Sequence, residues 1–210
     1  MKFSALLKFF LLANVIATNF VTLKPATANT FDEREMDQRQ VIAIAAPYRH
    51  GYNLVVIEQI EGKDQCWKEF GNAPVLVDPL LMNFDFTGHC RRATDTNGYS
   101  IRMAGREYGT DYLLNIVEEG GELHLIATNR DPKQPTLRIG SSRGPNNGGV
   151  TKLFLNPGWR FTKRSYQGQE LSHFYFSGKS APVATQAPQP AQYSNNNFGQ
   201  STQQEPNQLF

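Results

Sequence analysis

Towards the end of the charged part of this sequence, Trp159, Arg160, Lys163, Arg164, Tyr166, His173 and Tyr175 crowd aromatic rings and cations into the length of one hairpin. A flat ring flanked by cationic and polar donors can stack a sugar ring or receive an acidic polysaccharide. Arg160, Lys163, Arg164 and Tyr175 are therefore the candidate ligand-binding residues. A two-residue turn at Gln167-Gly168 pairs Phe161 with Phe174 and Trp159 with Phe176. In that register Arg160 lies opposite Tyr175 on the other face. The same composition also suits a solvated strand face.

Other residues that could do chemistry lack the pattern it needs, and no catalytic residue is assigned. Asp78, Asp85 and Asp95 are the acids that could converge as a carboxylate pair for glycosidic cleavage, but Asp78-Pro79 reads as a turn and no spacing joins the others. Asp95-Thr96-Asn97-Gly98 resembles part of a calcium loop, yet Ala93 and Ala104 stand where that loop needs acids. It reads as a hairpin turn. The run Gly140–Gly149 lacks the Gly-Lys-Ser/Thr ending of a phosphate loop and leads into a strand, so it reads as a flexible connection. His50, His89, His124 and His173 have no metal-ligand spacing and read as surface or partly satisfied side chains. No serine sits in a Gly-x-Ser-x-Gly elbow. No cofactor or metal is called for.

The chemistry of the cysteines depends on compartment. Lys2 and Lys8 precede an apolar run from Phe9 to Val21, broken only by Asn14, Thr18 and Asn19, and the run leads to Pro25-Ala26-Thr27-Ala28. A charged start, a short apolar core and small residues before the cut make a secretory leader, with cleavage expected after Ala28. The run is too short and too polar for a spanning helix, and no later segment could span. The mature chain is expected in the periplasm, the cell envelope or outside the cell. There, Cys66 and Cys90 are expected to form a disulfide.

Charge points the same way as the lack of motifs. The chain has 21 Lys and Arg against 19 Asp and Glu. Loss of the leader removes three lysines and no acid, which leaves the mature protein at a net charge of −1. Attraction to nucleic acid has no support from such a balance.

These residues sit on short β-rich segments. Val41–Ala45 and Leu54–Ile57 flank a polar turn, Val75–Val77 ends at Asp78-Pro79, and residues 83–87 and 99–103 alternate apolar with polar. A turn at Gly120-Gly121 pairs Ile116 with Leu125 and Leu114 with Ala127 on one face. Helical periodicity is confined to one turn near Leu80. The expected organisation is a leader over 1–28, a loose lead-in over 29–39, a β-rich domain over 40–178, and a disordered Gln/Asn/Pro-rich tail over 179–210. The fold class is all-β, a small antiparallel barrel or sandwich.

Several strings carry a resemblance. Gln40–Tyr48, Cys66-Trp67, Val77–Gly88, Thr94–Arg102 and Leu155–Arg164 together resemble a secreted cyanobacterial family known as domain of unknown function 3747. The likeness runs from about Thr30 to Phe176 and leaves the tail outside. It implies an envelope or extracellular setting and carries no activity or site residue. The leading expectation is a non-enzymatic module that binds envelope or extracellular material such as polysaccharide. A structural or assembly subunit held by protein contacts, through the tail, is the second reading. A cell-wall or polysaccharide hydrolase with Asp85 or Asp95 as its acid is the third.

Overall fold

A computed structural model describes residues 31–180 apart from Asn83. The expected leader and all of the expected tail beyond residue 180 lie outside these residues. In chain order the strands are β1 (Asp32–Glu35), β2 (Val41–Tyr48), β3 (Gly51–Gln59), β4 (Trp67–Phe70), β5 (Leu76–Pro79), β6 (Cys90–Ala93) and β7 (Tyr99–Met103). They continue as β8 (Arg106–Glu107), β9 (Tyr112–Glu119), β10 (Glu122–Asn129), β11 (Leu137–Pro145), β12 (Thr151–Leu155), β13 (Trp159–Tyr166) and β14 (Gln169–Gly178). Short 3-10 turns stand at Gln38–Gln40 and Leu80–Met82. The fold is all-β, as the sequence predicts.

The strands form two curled sheets. One has the order β1-β13-β14-β7-β8. The other runs β6-β3-β2-β12-β11-β10-β9, with β5 pairing β12 and β4 pairing β5. Pairing is antiparallel except between β7 and β14, which run parallel. Asp32–Glu35, expected within a loose lead-in, instead forms β1 and pairs Glu33 with Arg164 and Glu35 with Thr162.

Both sequence-registered hairpins exist. Gly120 and Gly121 have φ of 62° and 78°, the double left-handed turn that matches strand twist. Ile116 pairs with Leu125 and Leu114 with Ala127, as expected. Gln167 and Gly168 make the same kind of turn, with φ of 50° and 78°. Here the register needs correction. A bulge between Lys163 and Ser165 inserts two residues of β14, so Phe161 pairs with Phe176 and Trp159 with Gly178. Arg160 therefore faces Ser177, and Tyr175 faces Thr162. A shift of two keeps each side chain on its expected face, because the side-chain period of a strand is two.

The main core lies between the sheets. Val41, Ala43 and Ala45 of β2 meet Ile101, Leu125, Phe161, Phe174 and Phe176 there. Ile42 and Ile44 point the other way, into a second cluster with Ile57, Cys66, Val77, Leu81 and Cys90. A strand buried on both faces explains why residues 41–45 read as an unbroken apolar run. The disulfide joins Cys66 to Cys90 with their Cα atoms 5.9 Å apart, and so pins the 66–90 excursion over the second cluster. Closing a loop of this length stabilises the fold by about 3.5 kcal/mol in the chain-entropy account.

Two expectations fail for local reasons. Phe84–Thr87 is not a strand. The Asp85 carboxylate accepts the Thr87 N–H at 3.0 Å, a local turn bond that competes with sheet pairing. Phe84 and Phe86 still pack together on the second cluster. The glycine-rich run is not a loose connection over its first half, since Gly140–Pro145 belongs to β11. A Cβ on Gly144 would lie 2.6 Å from the Ala73 carbonyl carbon, and one on Gly140 would strike the Phe154 carbonyl. Close backbone approach, not flexibility, accounts for these glycines.

Candidate functional site

The outer face of the five-stranded sheet is polar and largely hidden from solvent. Thr162 and Tyr175 have no exposure, Ser177 has 1%, and Arg102 has 8%. Two carboxylates organise it. Glu33 of β1 accepts from Arg160 Nη2 at 2.9 Å and from the Ser177 hydroxyl at 3.0 Å, and it pairs with Arg102 Nε at 3.2 Å. Glu107 of β8 pairs with Arg164 and accepts the Tyr175 hydroxyl at 2.8 Å. Arg102 and Arg164 both lie over the Tyr175 ring, each 5.4 Å from its centroid. Burial pushes the Tyr175 phenol up to about 12, so it stays a donor.

This arrangement redistributes the four residues expected to bind ligand. Tyr175 is sealed beneath the arginines. Lys163 lies on the core side, fully buried, with Nζ 2.7 Å from Glu58 Oε2 and 3.6 Å from the Phe174 ring centroid. That contact is an ion pair without aligned hydrogen-bond geometry. Burial lowers the Lys163 pKa. Neither side chain is open to a ligand. Arg160 is held by Glu33 and Glu35 and borders a cleft of about 330 Å³ beside Trp159. Arg164 borders a different cleft.

That second cleft, of about 360 Å³, is walled by Asn97, Ser100, Glu107, Gly109, Arg130, Arg164 and His173. A third, of about 430 Å³, opens beside it and shares Arg130. Tyr108, Asp111, Tyr112, Asn129, Asp131 and Gln134 line it, brought together by the β8–β9 connection and the segment after β10. Arg106 stacks over the Tyr108 ring at 4.7 Å and pairs with Asp111 at 3.4 Å. Tyr112 is 3% exposed, and its buried hydroxyl has no hydrogen-bond partner among the described residues. An unmet buried hydroxyl costs about 1–3 kcal/mol.

The acids considered for glycosidic cleavage do not line any of these clefts. Asp85 and Asp95 each close a local turn, onto Thr87 and Asn97. The Thr87 hydrogen bonds lower the Asp85 pKa, the wrong direction for a proton donor. Among the described residues no group of three or more His, Cys, Asp or Glu side chains is placed to hold a metal. No helix among them is long and apolar enough to cross a membrane.

A family model described as "Protein of unknown function (DUF3747)" matches residues 8–181. The chain belongs to that family. The match spans every strand of the DUF3747 fold described above and begins within the expected leader. No curated protein and no solved structure matches the chain.

Sequence reasoning missed the walls of the two adjoining clefts in this DUF3747 protein. Tyr108, Asp111 and Asn129–Gln134 are loop or strand-end residues whose proximity depends on how β8, β9 and β10 meet. Two tyrosines flanking Asp111 within Tyr108–Tyr112 are the available signal. His173, a surface or partly satisfied side chain by sequence, is 7% exposed and bonded on both ring nitrogens.

Proposed function

We propose that this is an exported protein that binds a polyhydroxylated ligand, an envelope or extracellular saccharide, in the two adjoining clefts that share Arg130. One observation carries the reading: a cleft walled by Tyr108, Asp111, Asn129, Asp131 and Gln134, which sets an aromatic ring among carboxylate and amide side chains. Saccharides offer dense hydroxyls to planar carboxylate and amide groups, and an apolar ring face to an aromatic side chain. Tyr108 and the Asp, Asn and Gln side chains supply both kinds of contact.

Export is supported by the leader pattern and by the disulfide, since such bonds persist in oxidising compartments. The binding surface differs from the final-hairpin face expected from sequence, because that face is covered by its own arginines. Retention of the protein on purified peptidoglycan, lipopolysaccharide and exopolysaccharide tests the proposal. Saturable retention on one of them, weakened at least tenfold by Tyr108→Ala or Gln134→Ala, is expected. Equal retention by these variants, or none by the parent, would refute the site.

A further inference from the structure

Ser100 and His173 meet across the parallel β7–β14 pair, on the wall of the 360 Å³ cleft. The Ser100 Oγ lies 2.8 Å from His173 Nε2. On the far side of the ring, Nδ1 lies 2.8 Å from the Asn97 carbonyl oxygen. A carbonyl only accepts, so Nδ1 carries the ring proton and Nε2 presents a lone pair. Burial lowers the His173 pKa and keeps the ring neutral. The Ser100 hydroxyl therefore donates to Nε2.

A second acceptor competes for that proton. Glu107 Oε1 lies 3.2 Å from Ser100 Oγ and is itself held by Arg164. Oγ has one proton, and the shorter contact to Nε2 takes it. Glu107 is then positioned to stabilise an imidazolium when one forms. Gly109 faces Ser100: a Cβ there would lie 3.6 Å from Oγ and 3.2 Å from Glu107 Oε1. Its absence leaves room beside the hydroxyl. Arg130 lines the same cleft and is a cation.

We propose that Ser100 is a nucleophile and His173 its general base, in a site that hydrolyses small carboxylic esters by way of an acyl-serine. Nucleophile, base and an orienting acceptor for the base are the three parts this chemistry requires. Oγ forms a bond to the acyl carbon as its proton passes to Nε2, and the carbonyl electron pair moves to oxygen. The pair returns, the ester C–O bond breaks, and the leaving alcohol takes the proton from Nε2. Water then attacks the acyl-serine, gives a proton to Nε2 and releases the carboxylic acid, and the proton returns to Oγ. Esters are the fitting class because an alcohol leaves far more readily than an amine. The reaction goes beyond saccharide recognition and does not depend on it.

A fluorophosphonate probe and p-nitrophenyl acetate, which contain no sugar, test it on the full chain. The expected result is one covalent adduct, located by peptide mass at Ser100, with hydrolysis above the buffer rate. Ser100→Ala should abolish both. His173→Gln should slow both about 100-fold or more, the loss expected for a general base, while exposed Ser172→Ala should leave them unchanged. Circular dichroism of each variant separates loss of fold from loss of chemistry. No adduct at Ser100 in the folded parent protein would overturn the proposal, as would full reactivity in folded His173→Gln.

Discussion

Glu107 accepts the Tyr175 hydroxyl at 2.8 Å while pairing with Arg164, so one carboxylate on a two-residue strand ties β8 to both strands of the final hairpin. Removing it leaves Arg164 without a carboxylate and the Tyr175 hydroxyl without an acceptor, although Arg164 Nε still donates to that hydroxyl at 2.8 Å. Breaking a buried pair costs about 3–5 kcal/mol. Glu107 keeps 24% side-chain exposure, which discounts that figure. Glu107→Ala should therefore lower unfolding free energy by about 2–3 kcal/mol in chemical denaturation. A change below about 0.5 kcal/mol would show that solvent replaces the carboxylate.

The buried ion pair predicts an asymmetry between its two members. Glu58 retains a second cation, Arg91 at 3.2 Å, if Lys163 is replaced. Lys163, fully buried over Phe174, has no other carboxylate within ion-pair distance among the described residues. Glu58→Gln should thus destabilise by about 3 kcal/mol or more, and Lys163→Met by clearly less. Equal losses measured side by side in urea would contradict this account of the site.

His173 sets an acid limit. Burial depresses its folded pKa below the ordinary value of 6.5, against the opposing pulls of the Asn97 carbonyl and Glu107, and with Arg164 and Lys163 adding to the depression. Tyr175 packs edge-on to the ring and stays neutral. Below about pH 6.5 the unfolded chain takes up a proton that the folded chain resists, so stability falls as pH falls through the interval between the two pKa values. Above pH 6.5 the contribution is fully present. Urea midpoints should decline from pH 7 toward pH 5, and the decline should shrink in His173→Gln. The NMR titration of the ring should show uptake below pH 6.5; a midpoint above it would reverse the sign.

The disulfide makes a simpler forecast. Cys66→Ala with Cys90→Ala should cost about 3.5 kcal/mol by the chain-entropy account, chiefly by freeing the unfolded chain. The second cluster, which contains both cysteines, should lose amide-exchange protection first. Uniform loss across both clusters would mean the bridge does not act locally.

The legible parts of this fold were those written in local chemistry. Gly120-Gly121 and Gln167-Gly168 announce their turns because both need left-handed backbone, and Cys66 and Cys90 announce their bridge by their even number in a chain expected to be exported. The parallel β7–β14 pair was not legible, since no periodicity records which strand lies beside which. Nor was the bulge near Lys163, where two extra residues leave the face pattern intact and so leave no trace in it. The candidate site suffered most from this. The sequence puts Arg160 and Tyr175 on the face away from Trp159 and Phe176, and they lie there, but Glu33, Glu35, Glu107 and the arginines occupy that face. Residues such as Tyr112 and Ser100 gain meaning only from distant neighbours: Gln134 on the next connection, His173 on a strand 73 residues away.

The most direct test of the central claim is an amide chemical-shift titration of the labelled protein with oligosaccharide fragments of the retained polymer. Shifts concentrated at Tyr108, Asp111, Tyr112 and Asn129–Gln134, saturating together, are the expected result. Shifts confined to the final hairpin around Arg160, or absent throughout, would contradict it.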